Sequence, residues 1–120
     1  MMEVKRFMHQ LVEAMDYMHK MRVIHRDLKL ANLLLDDQFN LKIADLGLAA
    51  KLEFSDEKRR TMCGTPNYIA PEIISGQVGH SYEVDLWSAG IICYVLFYGN
   101  PPFETTEVKR TYEKIKLGIF

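Results

Sequence analysis

A mainly α-helical domain with a few short β-strands is the fold class this sequence predicts, on three observations. Apolar residues recur at three- and four-residue steps near the start, three very short apolar runs follow, and one continuous apolar stretch lies in the second half. The first is the period of an amphipathic helix and the second fits short strands. The third, apolar on all sides and bounded by Gly and Pro, fits a helix buried in a core.

Taken in order, Val4, Phe7, Met8, Leu11, Met15 and Met18 line one face of a helix over residues 2–20. The Met-rich stripe reads as core, because methionine fills irregular gaps. No Ser, Thr, Asp or Asn precedes it as a cap, so the chain is expected to begin inside this helix. Val23-Ile24, Leu33-Leu34-Leu35 and Leu41-Lys42-Ile43 each fit a short strand, and Asp36-Asp37-Gln38-Phe39-Asn40 fits a hairpin turn between the last two. Residues 44–70 have no sustained period and are rich in charge, Gly and Thr, which predicts a long loop of the functional kind. Pro71 is a favourable first residue for a short helix. The buried helix is expected over residues 82–98 with Ser81 as its cap. Gly99-Asn100-Pro101-Pro102 stops it, and Val108, Tyr112 and Ile115 mark a last amphipathic helix over residues 105–117.

The bulk numbers exclude several classes. At 120 residues there is room for one domain, burying about two-thirds of its unfolded surface. Hydrophobic residues at 48% and charged residues at 26% are ordinary for a soluble globular protein, and a net charge of -1 offers no attraction to nucleic acid or an anionic membrane. The stretch 89–98 is too short to span hydrocarbon. The start carries Glu3, Lys5 and Arg6 without an apolar h-region, unlike a signal peptide. Cys63 and Cys93 have no CxxC partner, which points to a reducing, intracellular and cytoplasmic setting. His9, His19, His25 and His80 show no metal-ligand spacing and read as solvated or structural.

The chemistry lies in one run and its sequel. His25-Arg26-Asp27-Leu28-Lys29-Leu30-Ala31-Asn32 is followed by Asp45-Leu46-Gly47 and later by Ala70-Pro71-Glu72. Together they hold a proton-accepting carboxylate, a cation and two hard oxygen ligands of the kind Mg²⁺ takes beside phosphates. Singly, such an Asp is usually a turn former and such an Asn a cap or turn. Their ordered combination is not explained that way. The first run matches the H-R-D-L-x-x-x-N catalytic loop of protein kinases. Over nearly its whole length the chain resembles the C-terminal lobe of a protein kinase, a partial α+β kinase fold. Residues 1–120 are accordingly expected to be a partial kinase domain, from the helix before the catalytic loop to the helix after Pro101-Pro102-Phe103, without the N-terminal lobe and final helices. Lys29 and Gly64-Thr65-Pro66 resemble the serine/threonine class. Leu30, the run from Cys63 to Glu72, and Pro101-Pro102-Phe103-Glu104-Thr105 resemble the polo-like kinases. Asn32-Leu33-Leu34-Leu35 with Ile43-Ala44-Asp45 is similar to their centriole-assembly branch.

The resemblance implies a division of labour. Asp27 is the proton acceptor, and Lys29, brought to the same side by extended backbone, contacts the γ-phosphate. Asn32 and Asp45 hold Mg²⁺, Leu34 lies under the adenine of ATP, and Gly47 lets the backbone turn past the metal ligand. Thr65 lines the substrate-residue pocket and bonds toward Asp27. Asp85 ties down the catalytic-loop backbone, His25 supports it, and Trp87 anchors the segment before Glu72, a role that coincides with plain core packing. Thr61 falls at the activating phosphorylation site, with Arg26 as partner of the phosphate. Lys58-Arg59-Arg60 beside it would attract an upstream kinase, although such a run is usually only solvated. ATP and Mg²⁺ are the implied cofactors, and proteins carrying Ser or Thr hydroxyls the implied partners, with no nucleic acid and no membrane. The implied sites of action are cytoplasm, nucleus or centrosome.

Two departures qualify this. Leu46 replaces the family's Phe in Asp-Phe-Gly, keeping an apolar group but altering the packing that separates active from inactive states. No Gly-rich phosphate loop, strand lysine or partner glutamate is present, and Glu72 lacks its usual arginine; a buried, unpaired Glu72 would cost roughly 3–5 kcal/mol unless it protonates or stays wet. The chain alone is therefore expected to bind ATP weakly, to be inactive, and to expose apolar surface. The alternative is a non-catalytic kinase-like interaction module, working through the loop around Thr65 and the final helix, or a truncated gene product. Intact Asp27, Lys29, Asn32 and Asp45 weigh against a catalytically decayed parent.

Overall fold

A computed structural model describes residues 2–120. The order is α1 (Met2–Lys20), β1 (Val23–Ile24), a 3-10 turn (Leu30–Asn32), β2 (Leu33–Leu35), β3 (Leu41–Ile43), β4 (Ala50–Lys51), α2 (Pro71–Ser75), α3 (Glu83–Tyr98) and α4 (Val108–Leu117). The mainly helical class with a few short strands is what forms, and the first helix and first three strands fall where periodicity puts them.

The strands make two small antiparallel ribbons. In one, Leu33 faces Ile43 and Leu35 faces Leu41. The turn between them is built by Asp36, whose Oδ1 accepts the N–H groups of Gln38 (2.9 Å) and Asn40 (2.8 Å). In the other, Val23 faces Lys51 and Ile24 faces Ala50. This pairing gives the supposed loop 44–70 a strand that nothing in its own residues announces, since Ala50-Lys51 acquires its geometry from β1.

Helix α3 runs between two clusters of buried side chains. Val84 and Ile91 join Ile24, Leu52, Ile69, Ile73, Phe103 and Ile115. Ala89 and Ile92 join Leu11 and Met15 of α1 and Leu28 of the loop after β1. Each fully buried Leu or Ile contributes roughly 1.5–3 kcal/mol. Leu28, in the loop after β1 and 0% exposed, is thereby fastened to the α1–α3 contact.

Three expectations need correction. Helix α3 is not buried on all sides: Leu86, Phe97 and Tyr98 are 65%, 50% and 70% exposed. Ser81 is no cap; its hydroxyl is buried without a partner, and Tyr82 occupies the cap position without a side-chain bond. The Ser81 carbonyl instead accepts the Val84 N–H at 3.3 Å. Helix α4 starts at Val108 rather than 105, because the Thr105 hydroxyl engages the Glu107 N–H (3.3 Å) and the Thr111 hydroxyl (2.9 Å) and so competes with helical pairing. Its buried face is Thr111 and Ile115, while Val108 is exposed.

Candidate active site

The loop carrying His25, Arg26 and Asp27 is fixed from beneath by one carboxylate. Asp85, in the first turn of α3 and 1% exposed, accepts the His25 N–H on Oδ2 and the Arg26 N–H on Oδ1, both at 2.9 Å. A further bond to Oδ2 comes from His19 Nε2 at 2.9 Å. Arg26 sits at φ 70°, a left-handed conformation that costs an L-residue roughly 1–2 kcal/mol. His25 is wholly buried; its Nδ1 accepts the Asp27 N–H at 3.1 Å and its Nε2–H donates to the Ala44 carbonyl at 2.9 Å. Those two bonds fix the tautomer and couple the loop to the residue before Asp45.

On this base three side chains meet. The Thr65 hydroxyl donates to Asp27 Oδ1 at 2.7 Å, and Lys29 Nζ donates to Thr65 Oγ1 at 2.9 Å while standing 3.8 Å from Asp27 Oδ2. Lys29 is extended, at φ -159° and ψ 164°, which carries its side chain to the same side as Asp27. Among the described residues Asp27 Oδ2 accepts no hydrogen bond and has only the distant ammonium as a charged partner, so it remains available to a proton donor.

Asn32, 8% exposed, donates its Nδ2–H to the Asp27 carbonyl at 2.9 Å, and Oδ1 has no hydrogen-bond partner among the described residues. Its carbonyl accepts the Ala44 N–H at 2.8 Å, so the β2–β3 register delivers Asp45 one residue beyond that contact. Asp45 is itself in the left-handed region, φ 60°, and its Oδ1 accepts the Gly47 N–H at 3.1 Å. Gly47 is thus required for room rather than for an unusual φ: a Cβ there would lie 3.0 Å from Asp45 Oδ1. No side-chain bond joins Asp45 to Asn32 or Asp27 among the described residues.

No group of three or more His, Cys, Asp or Glu side chains forms a ready metal cage among the described residues. The free Asn32 Oδ1 and Asp45 Oδ2 fit Mg²⁺ nonetheless, because that ion takes one or two protein oxygens and completes its shell with phosphates and water. Leu34, on β2 just past Asn32, is 53% exposed and presents apolar surface.

No hydrogen bond joins Thr61 to Arg26 among the described residues. Thr61 is exposed. Arg26 Nε donates to the Leu48 carbonyl at 2.7 Å, and its Nη1 is buried without a partner among the described residues. The segment before Thr61 is strapped to the residues before α3: Arg59 and His80 exchange backbone bonds of 2.8 and 2.7 Å, and Arg60 Nη1 donates to the Gln77 carbonyl at 3.1 Å. Gly79 makes this possible, at φ 75° with the Arg59 oxygen 3.0 Å from where a Cβ would sit. The His80 ring is buried and its pKa is held below the ordinary histidine value, by burial first and by the Arg26 guanidinium second, against the opposing pull of Asp85. Burial likewise pushes the Cys63 thiol up, with Arg26 opposing and Asp27 reinforcing.

Trp87 stacks on Phe103, with ring centroids 5.8 Å apart, and packs against the cluster that contains Ile69, Ala70 and Ile73. Its Nε1 is buried and has no partner among the described residues. Glu72 is half-buried and makes no ion pair among the described residues, at the rim of an apolar cavity of about 510 Å³ lined also by Trp87, Phe103 and Phe120. It stays wet, which removes the penalty anticipated for a buried, unpaired charge. Two polar supports were not foreseen. His19 binds Asp85, and the Ser88 hydroxyl donates to the Tyr68 carbonyl at 3.0 Å, tethering the segment before Glu72 to α3. A lone His or Ser on a helix carries no sequence signal for either contact.

Comparison with known proteins gives a consistent picture. The family description "Protein kinase domain" matches residues 1–120. The probable serine/threonine-protein kinase CCRP1 of Zea mays is 64% identical over 114 residues, covering 95% of this chain and 18% of that protein. The serine/threonine-protein kinase PLK1 of Xenopus laevis is 54% identical over 118 residues, covering 98% and 20%. The serine/threonine-protein kinase polo of Drosophila melanogaster is 52% identical over 114 residues, covering 95% and 20%. The chain spans about a fifth of the length of these relatives. No helix among the described residues is long and apolar enough to cross a membrane.

Proposed function

From the premise that this chain belongs to the protein kinase family, we propose that the protein carrying it is a polo-type serine/threonine kinase that moves the γ-phosphoryl group of ATP to Ser or Thr hydroxyls of proteins. The observation that carries the reading is the meeting of Asp27, Thr65 and Lys29 within hydrogen-bond reach over a loop fixed by Asp85. When bound, Mg²⁺–ATP supplies the transferable group and the divalent charge that neutralises it. Asp27 Oδ2 receives the proton of the attacking hydroxyl, and Lys29 places a cation beside the same point. Thr65 holds the other Asp27 oxygen and lines the pocket for the substrate residue. Asn32 Oδ1 and Asp45 would hold the metal, and Leu34 would offer apolar surface to the adenine. His25 and Asp85 keep the loop in place, while Trp87 and Glu72 support the segment beyond Thr65.

Thr61 is proposed as a phosphorylation switch acted on by an upstream kinase. A phosphate there brings about -1.5 to -2 charges, and one unit pair with Arg26 at about 4 Å is worth ~4 kcal/mol at an effective dielectric near 20, before desolvation. The buried, unpartnered Arg26 Nη1 supports this assignment. The 120 residues are taken to be the C-terminal lobe of the kinase domain; they contain no Gly-rich phosphate loop, so the isolated chain is proposed to be inactive. A polo-type kinase would act in cytoplasm, nucleus or centrosome.

The test is phosphoryl transfer from labelled ATP by the intact protein. Asp27→Asn is expected to slow it by about 10²–10⁴-fold. Equal rates would overturn the assignment, and an unaltered protein that labels nothing would leave the interaction-module reading in its place. Thr61→Ala with undiminished activity would end the switch.

A further inference from the structure

The carboxylate under the catalytic loop has one support that does not belong to the loop. A carboxylate buried as far as Asp85 needs its lone pairs filled by donors. Two of its donors are the His25 and Arg26 amides, the very groups it is positioning. Those bonds set the loop relative to the carboxylate, and α3 fixes the Asp85 backbone, but neither sets the side-chain torsions of Asp85 from outside the loop. The third donor is independent: His19 Nε2 reaches Oδ2 at 2.9 Å from the last turn of α1. Its ring is tilted against Tyr82, centroids 5.0 Å apart, which limits the rotation that would break the bond. Because a carboxylate only accepts, Nε2 carries the proton, and His19 therefore refers the position of Asp85 to the α1–α3 contact of the core. The loop's strained point, Arg26 at φ 70°, is held by the same carboxylate.

We propose that His19 is a positioning residue for phosphoryl transfer, aligning Asp85 and through it the backbone that carries Asp27. For its activity arm the proposal rests on the kinase reading above. The variants are His19→Phe, which keeps a ring against Tyr82 but removes the donor, and His19→Gln, which keeps a donor. In the intact protein, amide exchange of His25 and Arg26 is expected to quicken by about tenfold or more in His19→Phe, while the core of α1 around Leu11 keeps its protection. In the same variant kcat is expected to fall about tenfold with KM for ATP changed less than about twofold, and His19→Gln is expected to restore most of both. Unchanged exchange at residues 25 and 26 in His19→Phe would overturn the proposal. So would equal damage in both variants, or loss of protection throughout α1. Absence of transfer in the unaltered protein would refute the kinase reading alone, and the exchange of His25 and Arg26 still decides the role of His19.

Discussion

Replacing Asp85 with Asn tests the loop's support with almost no change of shape. In the native arrangement Oδ1 faces the Arg26 N–H, while Oδ2 faces the His25 N–H and His19 Nε2, all at 2.9 Å. The new amide has one oxygen and one NH₂. If the NH₂ replaces Oδ1, it confronts the Arg26 N–H; if it replaces Oδ2, it confronts the His25 N–H. His19 can change tautomer and become an acceptor, but a backbone amide cannot. One buried donor is therefore orphaned in either orientation, and the surviving bonds lose their charge assistance. Hydrogen bonds to charged groups are worth about 1.5–3 kcal/mol, so a loss of about 2–3 kcal/mol is expected. At a urea slope of about 2 kcal/mol per molar, the midpoint should fall by about 1 M. Trp87, the single tryptophan of the chain and itself in α3, reports the transition by fluorescence. A midpoint shift below about 0.2 M would refute the argument that these amides depend on a carboxylate acceptor.

Two further outcomes follow from the same geometry. The Asp36 carboxylate is held below its ordinary value of 3.8 by the backbone bond from Asn40 first, aided by the Asn40 side chain, the Gln38 N–H and Lys42, against the cost of burial. The unfolded chain thus binds the proton more readily, so the contribution to stability is full above about pH 3.8 and is lost as pH falls through the lower native value. The Asn40 amide signal should titrate in that acid range, and Asp36→Asn should abolish the titration. Gly79→Ala and Gly76→Ala share a left-handed φ, 75° and 64°, but only the first would press on a neighbour, the Arg59 oxygen at 3.0 Å. Both should lose roughly 1 kcal/mol to backbone strain, and Gly79→Ala alone should quicken exchange of the Arg59 and His80 amides. Identical exchange in the two variants would show that the strap tolerates a side chain.

Much of this architecture is legible because it is local. The 2–20 periodicity becomes α1, the three apolar pairs and triplets become β1 to β3, and Asp36 builds the turn that its position predicts. What escapes is set by distant partners. Ala50-Lys51 becomes a strand only because β1 lies beside it, and the Arg59–His80 pairing joins segments that have no shared pattern. The identities of Asp27, Lys29, Asn32, Asp45 and Thr65 could be named from motifs, whereas the 2.7 Å bond from Thr65 to Asp27 depends on tertiary folding. His19 shows no metal-ligand spacing and reads from sequence only as solvated or structural, yet α1 aims it at the least accessible carboxylate of the site. Gly47 was expected to supply a turn, and the positive φ fell on Asp45 instead, leaving the glycine to clear space for its side chain.

The pairing at residues 59 and 80 also changes the mechanics of everything around it. A pinned point divides the long segment after β4 into two shorter arcs, and closing a short arc costs less chain entropy than closing the whole. Any ordering event at Thr61 then has to immobilise only the arc between the pin and Thr65, whose far end is already moored to Asp27. Restraint at both ends makes that arc behave as a latch of fixed span rather than a free tail, so small electrostatic gains are enough to set it.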